Sequence, residues 1–365
     1  ANIVHLNQFL AEQPELVEKL SNSFGDGELD FVSGGPPCQS FSMAGMRKKD
    51  CDKNSLPSEF AKFVDKVRPK FTILENVTGI LRAFQDEGEK YYAWIEVSKA
   101  FSQVGYIPLC LHVNAKYAGI PQNRPRFIMI GVREDTFKEL SKSFNESEKE
   151  LFSSSYAFYY GVRDRVDSEI VKLKYHDVVN SADIQLFKNS FLSELVSHSE
   201  NFVTVHDAID DLRFNNKNSK PSRYIAANYD ALIGRNYKRP TKLFNHEERR
   251  NGDLVQRRFR LYQIMQLIGN NLAKEVKAIL KGNGSDISDE AWGKFSSYDY
   301  LIEDGTYVKF NSKFEFIKFL LRHPTKKQTQ KALDSKSPAP AALSIPDDAC
   351  HYHHDELRTL TVRDM

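Results

Sequence analysis

Three short segments place reactive side chains at points where the chain must turn. The first is Gly34-Gly35-Pro36-Pro37-Cys38-Gln39-Ser40-Phe41-Ser42. Neither a strand nor a helix continues through two glycines and two prolines. Cys38 therefore sits on a stiff turn, open to solvent and followed by a polar loop. A thiolate in that setting is a nucleophile, whereas Cys110, inside an apolar run, reads as a packing residue. The second segment, Glu75-Asn76-Val77, follows the apolar run Phe71-Thr72-Ile73-Leu74. A carboxylate at the end of a buried strand is costly unless it is paired or used; a salt-bridged structural glutamate is the other reading. The third, Gln122-Asn123-Arg124-Pro125-Arg126, leads into the apolar run Phe127 to Val132. Guanidinium groups there can clamp a carbonyl oxygen or a phosphate through paired donors.

The elements that must hold these residues alternate between strand and helix. Residues 28–33 form a short strand stopped at Gly34. Leu56 to Val67 carries Phe60, Phe63, Val64 and Val67 at helical spacing and ends at Arg68-Pro69. Phe71 to Leu74 is a buried strand, Tyr92 to Val104 a second helix closed by Gly105, and Tyr106 to Val113 and Arg126 to Val132 two more strands. Strands separated by crossover helices imply a mostly parallel sheet covered on both faces, with ligands at the carboxyl ends of the strands. Residues 134–200 are polar with scattered apolar groups and read as helices and loops without an assigned place. Val203 to Leu212 is a short helix, and residues 326–348, rich in Lys, Ser, Pro and Ala, read as loop.

A chain of 365 residues with 41% hydrophobic content has room for two packed domains. Its longest apolar runs fall far short of the roughly 20 residues that cross a bilayer, and no secretory signal is visible at Ala1-Asn2-Ile3-Val4-His5. The expectation is a cytoplasmic protein. Its four cysteines, Cys38, Cys51, Cys110 and Cys350, lack zinc spacing, so reduced thiols and no metal are expected. Charge is uneven. From Arg213 to Lys336 there are 25 Lys and Arg against 13 Asp and Glu, in a chain whose net charge is only +2. That asymmetry suggests a polyanion-binding module joined to a more acidic one.

The order of the three segments, with Glu75 placed 37 residues after Cys38, closely resembles the cytosine-5 DNA methyltransferase family of prokaryotic, restriction-modification type. Two further stretches fit. Val205-His206-Asp207-Ala208-Ile209-Asp210-Asp211-Leu212 resembles the segment that introduces the family's target-recognition region, and Arg358-Thr359-Leu360-Thr361-Val362-Arg363-Asp364 the motif that closes it. The resemblance covers residues 3–133, 203–270 and 343–365. It implies a Rossmann-like, S-adenosylmethionine-dependent methyltransferase fold plus a smaller recognition domain. The expected division is a catalytic domain over 1–137, an insertion over 138–202, a target-recognition domain over 203–345, and a return to the catalytic domain over 346–365.

The same resemblance assigns roles. Cys38 adds to carbon 6 of cytosine, and Glu75 acts at N3 and the 4-amino group. Arg126 holds O2, Arg124 braces the surrounding loops, and Asn76 fixes the turn behind Pro37. The target carbon is out of reach in a stacked duplex, so the base must be flipped out. Gln39, Ser42 and Arg47, in the loop after the nucleophile, are then expected on DNA. Arg257 and Arg258 are expected to meet phosphates first and guanines second, although their helical spacing also allows a structural role with Phe259, Tyr262 and Met265 as a buried face. The cofactor implied is S-adenosylmethionine, held by Gly35, Pro37, Leu56 and Asn7, the last roughly where the family has an adenine-contacting Asp. The family's glycine-rich turn and closing helix are not in this sequence, which reads as a fragment lacking both ends, or as half of a split enzyme. The expected partners are double-stranded DNA and, at system level, a cognate restriction endonuclease; a monomer is expected unless the enzyme is split. The alternatives are an inactive or half-enzyme DNA-binding protein that needs a partner, and a transfer-RNA cytosine methyltransferase. Against the latter, the basic region is large and no Cys-Phe-Thr signature is present.

Overall fold

The computed structural model describes residues 2–36, 56–86, 89–164, 172–215, 222–233, 243–325, 330–341 and 351–365. Pro37, Cys38, Gln39, Ser42 and Arg47 lie outside the described residues, as do Cys51 and Cys350. The chain divides into two compact units, one of Ala1–Gly119 with Arg124–Glu200 and one of Ile120–Asn123 with Asn201–Met365.

In the first unit, α1 (Ile3–Ala11) and α2 (Pro14–Ser21) lead to β1 (Phe31–Gly34), α3 (Leu56–Val67) and β2 (Phe71–Asn76). A hairpin of β3 (Phe84–Asp86) and β4 (Glu89–Tyr91) precedes α4 (Ala93–Gln103) and β5 (Tyr106–Asn114). After β6 (Gln122–Asn123), which belongs to the second unit, come β7 (Pro125–Arg133), α5 (Glu134–Leu140), α6 (Glu146–Arg163), β8 (Tyr175–Asp177) and α7 (Ser181–Lys188). The sheet runs β1-β2-β7-β5-β8. The pairs β1–β2 and β5–β8 are parallel, and β7 is antiparallel to both its neighbours. Four strands thus share one direction and the fifth opposes them, so the mostly parallel sheet expected from sequence is present, with β7 as its antiparallel member. The connection 115–124 carries a short 3-10 turn and the two-residue β6; with no crossover helix, β7 can only run back beside β5.

Period-two alternation covers both faces of this sheet. Tyr106 and Cys110 of β5, with Phe127 and Met129 of β7, pack under α3 and α4 against Phe60, Val64, Trp94, Val97 and Phe101. Ile107, Leu109 and Leu111, with Val132, face the other way onto Phe137, Leu151, Phe152, Tyr159 and Phe187 of α5 to α7. Residues 134–200, unplaced in the sequence reading, therefore supply one covering layer and a strand of the sheet.

Two packing details yield stability and reactivity expectations. At Gly34 a β-carbon would lie 2.7 Å from the Phe60 ring. That ring is 5% exposed and edge-packed on Phe101 at 5.8 Å, so it has nowhere to go. Gly34→Ala should lower the unfolding free energy by about 1–3 kcal/mol, the usual cost of overpacking, seen as a lower denaturant midpoint. An unchanged midpoint would show that the ring can yield. Cys110 is fully buried beside the Ser98 hydroxyl, and burial pushes its thiol up to about 12. It should resist iodoacetamide at neutral pH until the chain unfolds, as read by mass spectrometry of the labelled peptides; native labelling at the unfolded rate would contradict the packing.

The second unit is largely helical. It holds α8 (Val205–Ile209), α9 (Arg223–Ile233), α10 (Asp253–Ile268), α11 (Asn270–Leu280), α12 (Asp289–Phe295), β9 (Tyr300–Leu301), β10 (Tyr307–Val308), α13 (Lys313–Leu321), β11 (Lys331–Ala332), β12 (Ala339–Pro340) and β13 (His351–Tyr352). Thr204 and Asp207 form a capping box at the start of α8. Phe259, Tyr262 and Met265 are buried on one face of α10, as their spacing predicts, in a core with Val276, Phe295 and Phe316. The region read as loop contains β11 and β12. The latter pairs in parallel with β6, joining Ala339 to Gln122 and Pro340 to Asn123. No helix among the described residues is long and apolar enough to cross a membrane.

Candidate active site

Gly34 to Pro36, Glu75 and Asn76, and Arg126 come together at one end of the five-stranded sheet because of strand direction. Parallel β1 and β2 end together, with Gly34 opposite Leu74. Antiparallel β7 starts where β2 ends, with Glu75 opposite Ile128 and Asn76 opposite Phe127. Glu75 and Asn76 are the last two residues of β2 rather than residues beyond it, since β7 pairs with both. The next residue of β7 towards its start is Arg126.

Arg126 Nε lies 2.6 Å from a Glu75 carboxylate oxygen, with the side chains 21% and 45% exposed. The N–H points off the line to that oxygen, so the contact is an ion pair rather than a directed hydrogen bond. Nη1 of the same guanidinium donates to the Pro125 carbonyl at 2.8 Å. Gly35 runs beside this pair: a β-carbon there would lie 3.3 Å from the other Glu75 oxygen. The buried Asn76 donates from Nδ2 to the Pro36 carbonyl at 3.3 Å and accepts from the Val77 amide through Oδ1 at 2.8 Å. Its amide thus ties the end of β2 to the chain two residues before Cys38. Arg124 has an exposed side chain, while its backbone is fixed on both sides: its N–H donates to Asn114 Oδ1 at 3.0 Å and its carbonyl accepts from Ala115 N at 3.2 Å. Glu75, Asn76 and Arg126 are thus placed around the end of β2, Arg124 is tied to the end of β5, and Cys38 lies outside the described residues.

Among the residues expected at the cofactor, Asn7 is 7% exposed and donates to the Glu59 carbonyl at 2.8 Å and to the Glu59 carboxylate at 2.9 Å, pinning α1 to α3. The bond from Lys62, and after it the Asn7 bond to the carboxylate, hold the Glu59 carboxyl below the usual carboxylate range. Asn7 Oδ1 is left buried without a donor, an acceptor of the kind an adenine amino group satisfies. Leu56 opens α3 one turn before Glu59, and Gly35 is at the sheet end. The buried Asn7 acceptor is compatible with an adenosyl group.

In the second unit, Arg257 Nε donates to the buried His323 Nε2 at 3.3 Å, and Arg258 Nη2 donates to the Pro324 carbonyl. Both guanidiniums tie α10 to the chain after α13, the structural role that their helical spacing allowed, with partners that it did not identify. The sequence reading also missed a cluster near the C-terminus, in which His353, His354 and Asp355 bring possible metal-ligand atoms within 4.8 Å of one another. Arg213 occupies that neighbourhood. It donates to His354 Nε2 at 3.0 Å, bonds Asp210 at 2.6 Å and pairs with Asp355, so the positive charge the cluster gathers around is a guanidinium. The closing motif is anchored by Arg358, only 2% exposed, which pairs with Glu356 at 2.7 Å and with Asp364 at 2.5 Å and lies over the Phe214 ring.

Comparison with known proteins accords with this geometry. The model of the family described as C-5 cytosine-specific DNA methylase matches residues 13–365. Among individual relatives, Type II methyltransferase M.DdeI of Desulfomicrobium norvegicum is 40% identical over 108 residues, 30% of this chain and 26% of the relative. Orphan methyltransferase M.SPRI of Bacillus phage SPR is 40% identical over 126 residues, 34% of this chain and 27% of the relative. Type II methyltransferase M1.HphI of Haemophilus parahaemolyticus is 40% identical over 120 residues, 31% of each chain. The chain spans between 26% and 31% of the length of these relatives.

Proposed function

The chain belongs to the C-5 cytosine-specific DNA methylase family, and from that membership we propose that it transfers a methyl group from S-adenosylmethionine to carbon 5 of a flipped-out cytosine in a specific double-stranded DNA sequence, in the cytoplasm and as part of restriction-modification. The observation that carries this reading is the Arg126–Glu75 pair, set at the end of β2 beside the Gly35–Pro36 lead into Cys38.

Carbon 5 of cytosine is a weak nucleophile. Addition of the Cys38 thiolate to carbon 6 forms an S–C6 bond and turns the ring into an enamine whose carbon 5 is nucleophilic. Charge moves onto N3 and O2 as the bond forms. Glu75 gives or shares a proton at N3, and Arg126 faces O2 on the neighbouring ring carbon. With Nη1 on Pro125 and Nε against Glu75, Nη2 is the nitrogen that the described residues leave for O2. S-adenosylmethionine, when bound, supplies the electrophilic methyl group, and Gly35, Pro37, Leu56 and Asn7 are the residues assigned to it. Loss of the carbon 5 proton and cleavage of S–C6 then return the thiolate. Gln39, Ser42 and Arg47 are assigned to the DNA around the extruded base. The surplus of basic residues between Arg213 and Lys336 suits the phosphate backbone, and Arg257 and Arg258 are among the residues assigned to DNA.

The test is methylation of DNA of mixed sequence with tritiated cofactor, followed by hydrolysis to nucleosides. Label in 5-methyldeoxycytidine is the expected result. Label on adenine, on the cytosine amino group or in RNA alone would overturn the reading.

A further inference from the structure

We infer that Asn114 is a positioning residue for Arg126, an inference that rests on the function proposed above. Asn114 ends β5 and is 8% exposed. Its Oδ1 accepts two backbone N–H groups, Lys116 at 3.3 Å and Arg124 at 3.0 Å. One carboxamide oxygen therefore closes the loop 115–124 at both ends. The same closure is repeated in the backbone, where Ala115 N donates to the Arg124 carbonyl at 3.2 Å. Arg124 is held through both of its peptide groups.

The consequence passes along covalent bonds to the reacting group. Arg124 precedes Pro125, whose ring keeps Arg124 extended, so fixing Arg124 sets the plane of the Arg124–Pro125 peptide. The ring fixes φ of Pro125, and the pairing of Pro125 with Asn114 and of Arg126 with Val113 in the ladder holds the next peptide, so the Pro125 carbonyl keeps its direction. That carbonyl accepts from Arg126 Nη1 at 2.8 Å, and the guanidinium so anchored places Nε 2.6 Å from Glu75. Remove the Asn114 acceptor and the part-buried ends of the loop keep two N–H groups without it. The loop then relaxes at Arg124, and the anchor of Arg126 shifts with it. The side chain of Asn114 need not touch the substrate. It acts through the guanidinium that does.

Displacement of a positioned group by about 1 Å can cost roughly 10²-fold in rate. Asn114→Ala should therefore slow single-turnover methyl transfer roughly 10- to 100-fold with DNA affinity unchanged. Asn114→Asp, which keeps an oxygen acceptor for both N–H groups, should recover most of the loss. The experiment compares both variants with the parent enzyme for transfer rate, DNA affinity and unfolding midpoint, and measures amide hydrogen exchange at Arg124 in the parent. Protection of the Arg124 amide, a slow Asn114→Ala enzyme with intact DNA affinity, and rescue by Asn114→Asp support the inference. A folded Asn114→Ala enzyme with parental rate, equal defects in Asn114→Ala and Asn114→Asp, or an unprotected Arg124 amide would overturn it. The last of these needs no variant to fold. A parent enzyme that methylates no cytosine would instead overturn the functional reading, and the role of Asn114 with it.

Discussion

Cys38→Ala should lose methyl transfer by roughly 10⁴-fold or more, because removal of a covalent nucleophile leaves only binding and orientation to act. DNA affinity should persist, since the charge proposed to meet the phosphates lies on other residues, chiefly in the region from Arg213 to Lys336. Cys38→Ser should be nearly as poor: a hydroxyl at neutral pH offers far less anion than a thiol, and alkoxide adds to carbon 6 only with a strong base beside it. The other thiols provide the control. Cys110 is sealed within the core, and Cys110→Ser should alter stability rather than chemistry. Filter binding and tritium transfer measured on the same preparations separate the two effects. A Cys38→Ala enzyme that still labels DNA would remove the thiolate from the mechanism.

Glu75→Gln should reduce turnover of bound DNA by about 10²- to 10⁴-fold, the range in which a positioned acid or base contributes. The amide fills the same space and keeps one acceptor and one donor, but it cannot deliver a proton to N3 as sulfur adds. The transition state therefore loses more than the ground state. Stability should hardly change, because the pair with Arg126 is partly solvent-exposed at 45% for the glutamate, and such ion pairs contribute about 0–1 kcal/mol. Arg126 also keeps its bond to the Pro125 carbonyl, so the guanidinium stays in place. Single-turnover kinetics with a thermal melt on the same variant decide the matter. A large fall in melting temperature or collapse of DNA affinity, with normal turnover of bound complex, would make Glu75 a structural residue.

Much of the site was legible because punctuation and periodicity act locally. Gly34 to Pro37 stops β1 whatever surrounds it, and the apolar runs of β2 and β7 are long enough to identify as strands. What remained hidden depends on partners distant in sequence. Glu75 and Asn76 belong to β2 only because β7 pairs with them, and that pairing follows from the lack of a crossover between β5 and β7. Strand β8 escaped notice because Tyr175, His176 and Asp177 are polar; their places are set by contacts of His176 with Asp183 and of Asp177 with His112. Asn114 looked like one polar residue among several at a strand end. Its only local sign was an asparagine that caps the turn after it, and the bond to Arg124 across the loop has no sequence signature. Arg257 and Arg258 illustrate the converse. Their clustering suggested phosphate contacts and their helical spacing a structural role, and the structure supplies each with a partner inside its own unit that the spacing does not name.

The central claim, that Cys38 bonds to carbon 6 of the target base, has a direct test in DNA carrying 5-fluorocytosine at every cytosine, which removes any need to know the recognition sequence. After methyl transfer, carbon 5 of that base holds fluorine where a proton would leave. Fluorine cannot depart as a cation, so the elimination that frees sulfur is blocked. The enzyme incubated with this DNA and S-adenosylmethionine should form a complex that survives denaturation. Digestion and mass spectrometry should place the methylated, fluorinated nucleotide on the peptide containing Cys38. Absence of any such complex from an enzyme that methylates ordinary DNA, or attachment through Cys51, Cys350 or another residue, would contradict the account.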